Sequence, residues 1–170
     1  LNYTGSFDIL PLLSPHTLEN IRTMNQRFSW RKLYVAYIDE HKLISKALKQ
    51  TLETRAPGLV IHSFSDFRNA NNALHRRLLA NKKIDLVITN FKHAESEGLQ
   101  LCRQLHIEEY SDSREHIPVM VLTLDSVNHD ELTPLYNSRV IDSCMSKMES
   151  AEKILEEIRK LTALQLAQTA

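Results

Sequence analysis

From residue 32 onward, short apolar runs alternate with longer amphipathic stretches, and this alternation limits the possible folds more than any other feature of the chain. Residues 33–38 form a compact run rich in β-formers. Residues 41–54 follow with Leu43, Ile44, Ala47, Leu48 and Leu52 on one helical face. Ala56-Pro57-Gly58 breaks the chain. Residues 59–64 then predict a second strand, and a helix carries Ala73, Leu74, Leu78 and Leu79. A third strand is expected over 84–89 and a third helix over 98–106. An acid-rich loop over 108–116 leads to a fourth strand at 119–122. Residues 130–136 read as a short helix interrupted or tightened by Pro134, and 140–145 as a less apolar fifth strand. The last helix is predicted over 150–166, with Ser150 as N-cap and Ile154, Leu155, Ile158 and Leu161 at helical spacing.

Five strands alternating with five helices imply an α/β fold with a mostly parallel sheet covered on both faces. The strands are nearly continuous apolar runs, as burial on two sides requires, and right-handed crossovers leave few topologies. Charge narrows the function classes. The 170 residues carry 21 basic and 21 acidic side chains, so the basic excess of a nucleic-acid binder is missing. Cys102 and Cys144 sit far apart inside apolar stretches, which predicts small buried hydrophobes rather than a disulfide or metal site. No apolar run reaches the roughly 18 residues needed to cross a bilayer, and no signal peptide is visible, so a cytoplasmic setting is expected. The chain opens on Leu1 rather than Met, which suggests a piece of a longer protein whose membrane anchor, if it has one, lies elsewhere.

Ligands of open α/β sheets bind beyond the carboxyl ends of the strands, so the residues delivered there carry the functional argument. The first strand ends in Asp39-Glu40, the third in Thr89-Asn90, the fourth in Thr123 and the fifth in Ser146-Lys147. Paired carboxylates suit a hard cation such as magnesium. A lysine and a hydroxyl can hold a phosphoryl group attached to a carboxylate between them. Asn90 offers an amide at that place, and an amide is no nucleophile. Singly, each residue has a plain reading: Asp39 and Glu40 as helix caps, Thr123 as a strand-end hydroxyl, Lys147 as a solvated lysine. Together, at four strand ends of one rim, they point to a shared site.

These residues carry a family resemblance. The stretch from about Leu33 to Leu161 resembles the receiver domains of two-component signalling, which implies a flavodoxin-like, doubly wound sheet in the order 2-1-3-4-5. Tyr37-Ile38-Asp39-Glu40-His41 looks like the family's acidic pair after strand one. Asp85-Leu86-Val87-Ile88-Thr89-Asn90 looks like the strand-three motif, with Asn90 where the family keeps its phosphorylated aspartate. Gly98 falls eight residues later, at the family's usual glycine. The run from Ile117 to Thr123 is similar to the fourth strand with its hydroxyl residue, and Asp142-Ser143-Cys144-Met145-Ser146-Lys147 to the fifth with its lysine. Three departures accompany Asn90: Ala94 replaces the usual proline, Cys144 the aromatic that reports phosphorylation, and Met148 the proline after the lysine.

The resemblance implies a pseudo-receiver, not itself an enzyme, that acts by contact within a phosphorelay. Its degenerate pocket would comprise Asp39, Glu40, Asn90, Thr123 and Lys147, with no cofactor beyond weak magnesium at Asp39 and Glu40. With no phosphoryl group to hold, Lys147 is expected to be exposed, and its removal to change stability by no more than about 0.5 kcal/mol. Expected partners are a kinase core, a receiver or a phosphotransfer domain, or a second copy, with Ile158, Leu161 and Leu164 on the last helix as contact candidates. Residues 32–170 would form this domain. Residues 1–31 would form a separate segment in which the run from Thr4 to Leu12 resembles the last strand of histidine-kinase ATPase domains. Ser14-Pro15 then starts a helix with Leu18, Ile21 and Met24 on one face, which points to a hybrid sensor kinase as parent. The resemblance also admits two other settings: the receiver half of a DNA-binding transcription factor, and a pseudo-receiver holding a small anion in the vacated pocket.

Overall fold

The computed structural model describes residues 32–91, 97–112, 115–124 and 129–168, with side chains at 32–91, 97–106, 115–124 and 130–163. The expected kinase-tail motif and helix within 1–31, and Ala94, lie outside these residues. The described chain runs β1 (Leu33–Ile38), α1 (Lys42–Arg55), β2 (Leu59–Phe64), α2 (Phe67–Leu79), β3 (Leu86–Asn90), α3 (Glu97–Asp112), β4 (Val119–Thr123), α4 (His129–Asn137), β5 (Ser143–Ser146) and α5 (Ala151–Gln168). The strands form one sheet in the order β2-β1-β3-β4-β5, and every neighbouring pair is parallel. This is the expected doubly wound architecture.

Two cores follow from the two-residue period of the strands. Ala36, Ile38, Val87, Val119 and Val121 turn one way, into a cluster with Ala70 and Leu74 of α2, Leu101 and Leu105 of α3, and Leu132 and Leu135 of α4. Val35, Tyr37, Ile61, Leu86, Ile88, Met120 and Leu122 turn the other way, onto Leu52 of α1 and Ile154, Leu155, Ile158 and Leu161 of α5. That second cluster corrects an expectation. Ile158 and Leu161 are buried against the sheet and offer nothing to a partner, because a five-stranded sheet needs the whole inner stripe of α5 to cover it. Leu164 lies in α5, but its side chain is outside the described residues.

Polar residues pin the strands at their amino-terminal ends. Asp85, just before β3, accepts the Tyr34 N–H at 2.7 Å and gives its own N–H to the Tyr34 carbonyl at 2.9 Å. Asp142, just before β5, repeats the device on β4: its carboxylate accepts the Val119 N–H at 2.8 Å, and its N–H bonds the Val119 carbonyl at 2.8 Å. His116 lies 3.0 Å from the same carboxylate. Strand five is therefore shorter than expected, since Asp142 serves the join rather than the strand. Helix α3 is longer than expected and extends through residues 108–112. Acidity does not end a helix, glutamate is a good helix former, and neither Gly nor Pro occurs between Gly98 and Pro118. Pro134 sits within α4 and does not end it. Caps fall where side chains allow them: Asp66 accepts the Asn69 N–H at 2.8 Å at the start of α2, and Ser150 accepts that of Lys153 at 3.3 Å at the start of α5.

Candidate functional site

The carboxyl ends of β1, β3 and β5 bring three of the expected site residues into direct contact. Asp39 follows β1 and is buried, Asn90 closes β3, and Lys147 follows β5. The Lys147 side chain is only 1% exposed, and its Nζ stands 2.7 Å from Asp39 Oδ2 and 3.0 Å from Asn90 Oδ1. The expectation of a solvated Lys147 is thus wrong. Its backbone N–H is bound to the Thr123 carbonyl at 2.7 Å, which holds the residue in line with the sheet and sends the side chain inward.

Two further residues complete the cluster. The Tyr37 hydroxyl, from the buried face of β1, donates to Asp39 Oδ2 at 2.8 Å. The His41 N–H donates to Asp39 Oδ1 at 3.0 Å, and His41 Nδ1 lies 3.2 Å from the same oxygen. Neither residue was singled out from the sequence for this role. Tyr37 was open to detection, because it stands two positions before Asp39 on the same strand face. Nothing local marked His41.

Asp39 does not cap α1 with its side chain; it binds the N–H of the residue just before the helix. Burial pushes its carboxyl upward, but hydrogen bonds from Lys147, the His41 N–H and Tyr37, with the lysine charge, outweigh that and lower its pKa. Burial, then the neighbouring Asp39 charge and hydrogen bond, raises the Tyr37 hydroxyl far above its ordinary value, so it remains a donor. Thr123 is buried and donates to the Phe91 carbonyl at 3.4 Å, at the edge of the cluster. Glu40 is half-exposed, 3.8 Å from His41 Nδ1.

This donor set does not fit magnesium. A carboxylate offers about four lone-pair positions. Those of Asp39 face an ammonium, a hydroxyl, an N–H and an imidazole nitrogen. Glu40 is the carboxylate left, and magnesium requires near-octahedral oxygen ligation. Among the described residues no group of three or more His, Cys, Asp or Glu could hold a metal ion.

Gly98 is bound to the site by packing. A Cβ there would stand 2.0 Å from Thr89 Oγ1 and 3.3 Å from Thr89 Cβ, so the start of α3 can approach the end of β3 only without a side chain. Cys102 is buried and Cys144 half-buried, and neither is in a disulfide; burial raises the Cys144 thiol.

The model of the response regulator receiver domain matches residues 35–159, which take in most of β1, all of β2 to β5 and each of the five site positions. The chain belongs to that family. Solved structures of similar fold include a receiver domain protein from Methanospirillum hungatei, 17% identical with a TM-score of 0.61, covering 80% of this chain and 98% of that one. A Clostridium thermocellum receiver domain is 20% identical with a TM-score of 0.59, covering 80% and 98%. A mutant receiver domain of an Arabidopsis thaliana histidine kinase is 14% identical with a TM-score of 0.60, covering 82% and 96%. Among curated proteins no sequence matches the chain. Membership places this receiver domain in two-component signal transduction, where receivers generally do not act as catalysts and other signalling domains are their partners. Among its described residues no helix is long and apolar enough to cross a membrane.

Proposed function

We propose that this receiver domain is a pseudo-receiver: it takes up no phosphate and regulates by contact within a phosphorelay. The observation that carries the reading is the Lys147 ammonium bonded to both Asp39 and the Asn90 amide oxygen. Asn90 supplies an acceptor for that lysine but no nucleophile. The Asp39–Lys147 pair is already neutral without a phosphoryl group or a metal, so the site is an internally compensated knot.

The surroundings support contact. Three large apolar side chains stand in solvent on segments that leave this end of the sheet: Leu43 (86% exposed) early in α1, Leu124 (44%) after β4 and Met148 (80%) beside Lys147. Buried apolar anchors dominate interface energies, and these residues replace Ile158 and Leu161 as the contact candidates. A kinase core, a phosphotransfer domain, another receiver or a second copy are the partners such a rim would meet, and a hybrid sensor kinase is the parent this reading favours.

The test is mass spectrometry after acetyl phosphate and magnesium, with beryllofluoride as a second probe by NMR. Wild type should show neither a mass gain nor shifted amides around Asn90. A stoichiometric acyl phosphate on the wild-type chain overturns the proposal.

A further inference from the structure

The open edge of the sheet carries a second polar site, unconnected with Asn90. Among the described residues strand β2 has only β1 beside it, and alternate residues of a strand present their N–H and C=O groups to opposite edges. Phe64 faces inward, its carbonyl taking the Asp39 N–H at 2.9 Å. Ile61 faces outward and is covered from α1: Glu53 accepts its N–H at 2.7 Å, and Lys49 Nζ donates to its carbonyl. Ser63, two residues on, also faces outward, and there the cover stops.

At that point a pocket of about 230 Å³ opens between α1 and the end of β2, lined by Lys42, Ser45, Lys46, Lys49, Ser63, Phe64 and Ser65. Lys42, Lys46 and Lys49 lie at i, i+4 and i+7, one side of the helix, and none of the described residues lining the pocket is a carboxylate. Lys49 is held by Glu53 at 3.1 Å. Among the described residues Lys42 and Lys46 have no ion-pair partner for their ammonium groups, and the hydroxyls of Ser63 and Ser65 have no hydrogen bond. In a chain with equal numbers of acids and bases, unpaired ammonium groups gathered over hydroxyls and an outward backbone N–H concentrate positive charge and donors where none of the described lining residues is a carboxylate.

We infer that this pocket binds an anionic phosphoryl group on a small molecule. Lys42 and Lys46 would supply charge, and the Ser63 and Ser65 hydroxyls and the Ser63 N–H would supply direction. Phosphoryl oxygens accept several hydrogen bonds at once, and charge-assisted bonds are the stronger ones. The volume lies below the roughly 300–1,000 Å³ of pockets that enclose drug-sized ligands, so a compact group fits and an enclosed cofactor does not.

The inference goes beyond the contact role and fails or stands independently of it, because no residue of this pocket belongs to the Asp39–Lys147 cluster. The experiment is a titration of the whole chain with inorganic phosphate, followed by amide NMR against sodium chloride at matched ionic strength. Saturable shifts at Ser63 and Ser65 are expected, with affinity falling about tenfold in Lys42→Gln/Lys46→Gln, the loss of one to two charge-assisted bonds. The Asn90 amide should not move. Shifts that never saturate, or that are equal in the double variant, overturn the inference. So does a response to a glutamate-rich peptide with none to phosphate, which would assign the edge to an acidic protein segment.

Discussion

Lys147 decides the energetics of the site at the residue scale. An exposed lysine could be removed almost silently, but here its loss would strand the buried Asp39 carboxylate with one fewer counter-charge. Lys147→Ala is expected to destabilise the domain by about 3–5 kcal/mol, read as a lowered urea midpoint. Lys147→Met combined with Asp39→Asn should recover most of that loss, since no buried charge remains. The same pair sets a pH dependence. Because the Asp39 carboxyl is lowered in the folded state, its contribution is fully present above its ordinary value near 3.8 and disappears as pH falls through the lower folded value. Acid unfolding of Asp39→Asn should therefore be flatter than that of wild type below that point. Asn90 is the other decisive residue: Asn90→Asp should gain labelling by acetyl phosphate that wild type lacks, checked by intact mass. Asp39, Asn90 and Lys147 were legible in the sequence from their places at strand ends, whereas Tyr37 and His41 were not singled out there. Burial was not legible, because whether a lysine beside a loop turns inward depends on an acid 108 positions away in sequence.

Packing between β3 and α3 is the informative join at the element scale. Gly98 meets Thr89 with no room for a methyl group, so Gly98→Ala should cost about 1–3 kcal/mol by overpacking. Thr89→Ala removes the hydroxyl that clashes. The two changes together should cost less than their sum, a double-mutant coupling visible in thermal or urea unfolding. The position of the glycine could be read from the sequence; its reason required the helix to be seen lying on the strand end. Element order and the parallel sheet were likewise legible, because hydrophobic period is local information. The ends of α3 and β5 were not. One depended on how far a polar helix continues without a breaker, the other on Asp142 bonding to a different strand. The last helix misled for a related reason: an amphipathic stripe looks the same whether it meets its own sheet or a partner.

At the scale of the whole domain, Leu43, Leu124 and Met148 stand exposed on segments that leave the sheet at the end where Asp39, Asn90 and Lys147 meet. If contact is its role, Met148→Glu with Leu43→Glu should weaken association with the partner or with a second copy, while circular dichroism and melting temperature stay near wild type. Sedimentation measures the first and thermal unfolding the second. A pair of surface substitutions should alter stability by no more than about 1 kcal/mol in total, so a loss of binding in a folded double variant would be assigned to the surface. The Asp85 and Asp142 joins carry a consequence of another kind. Both tie neighbouring strands together at the end of the sheet opposite Asn90. Backbone alignment there is secured by carboxylates at the far end of the sheet from Asn90. Mutation can therefore rewrite the reactive end without disturbing strand registration, which gives this architecture an evolutionary tolerance: an ancestor able to accept phosphate could lose that ability in one substitution and still hand its descendants an intact scaffold.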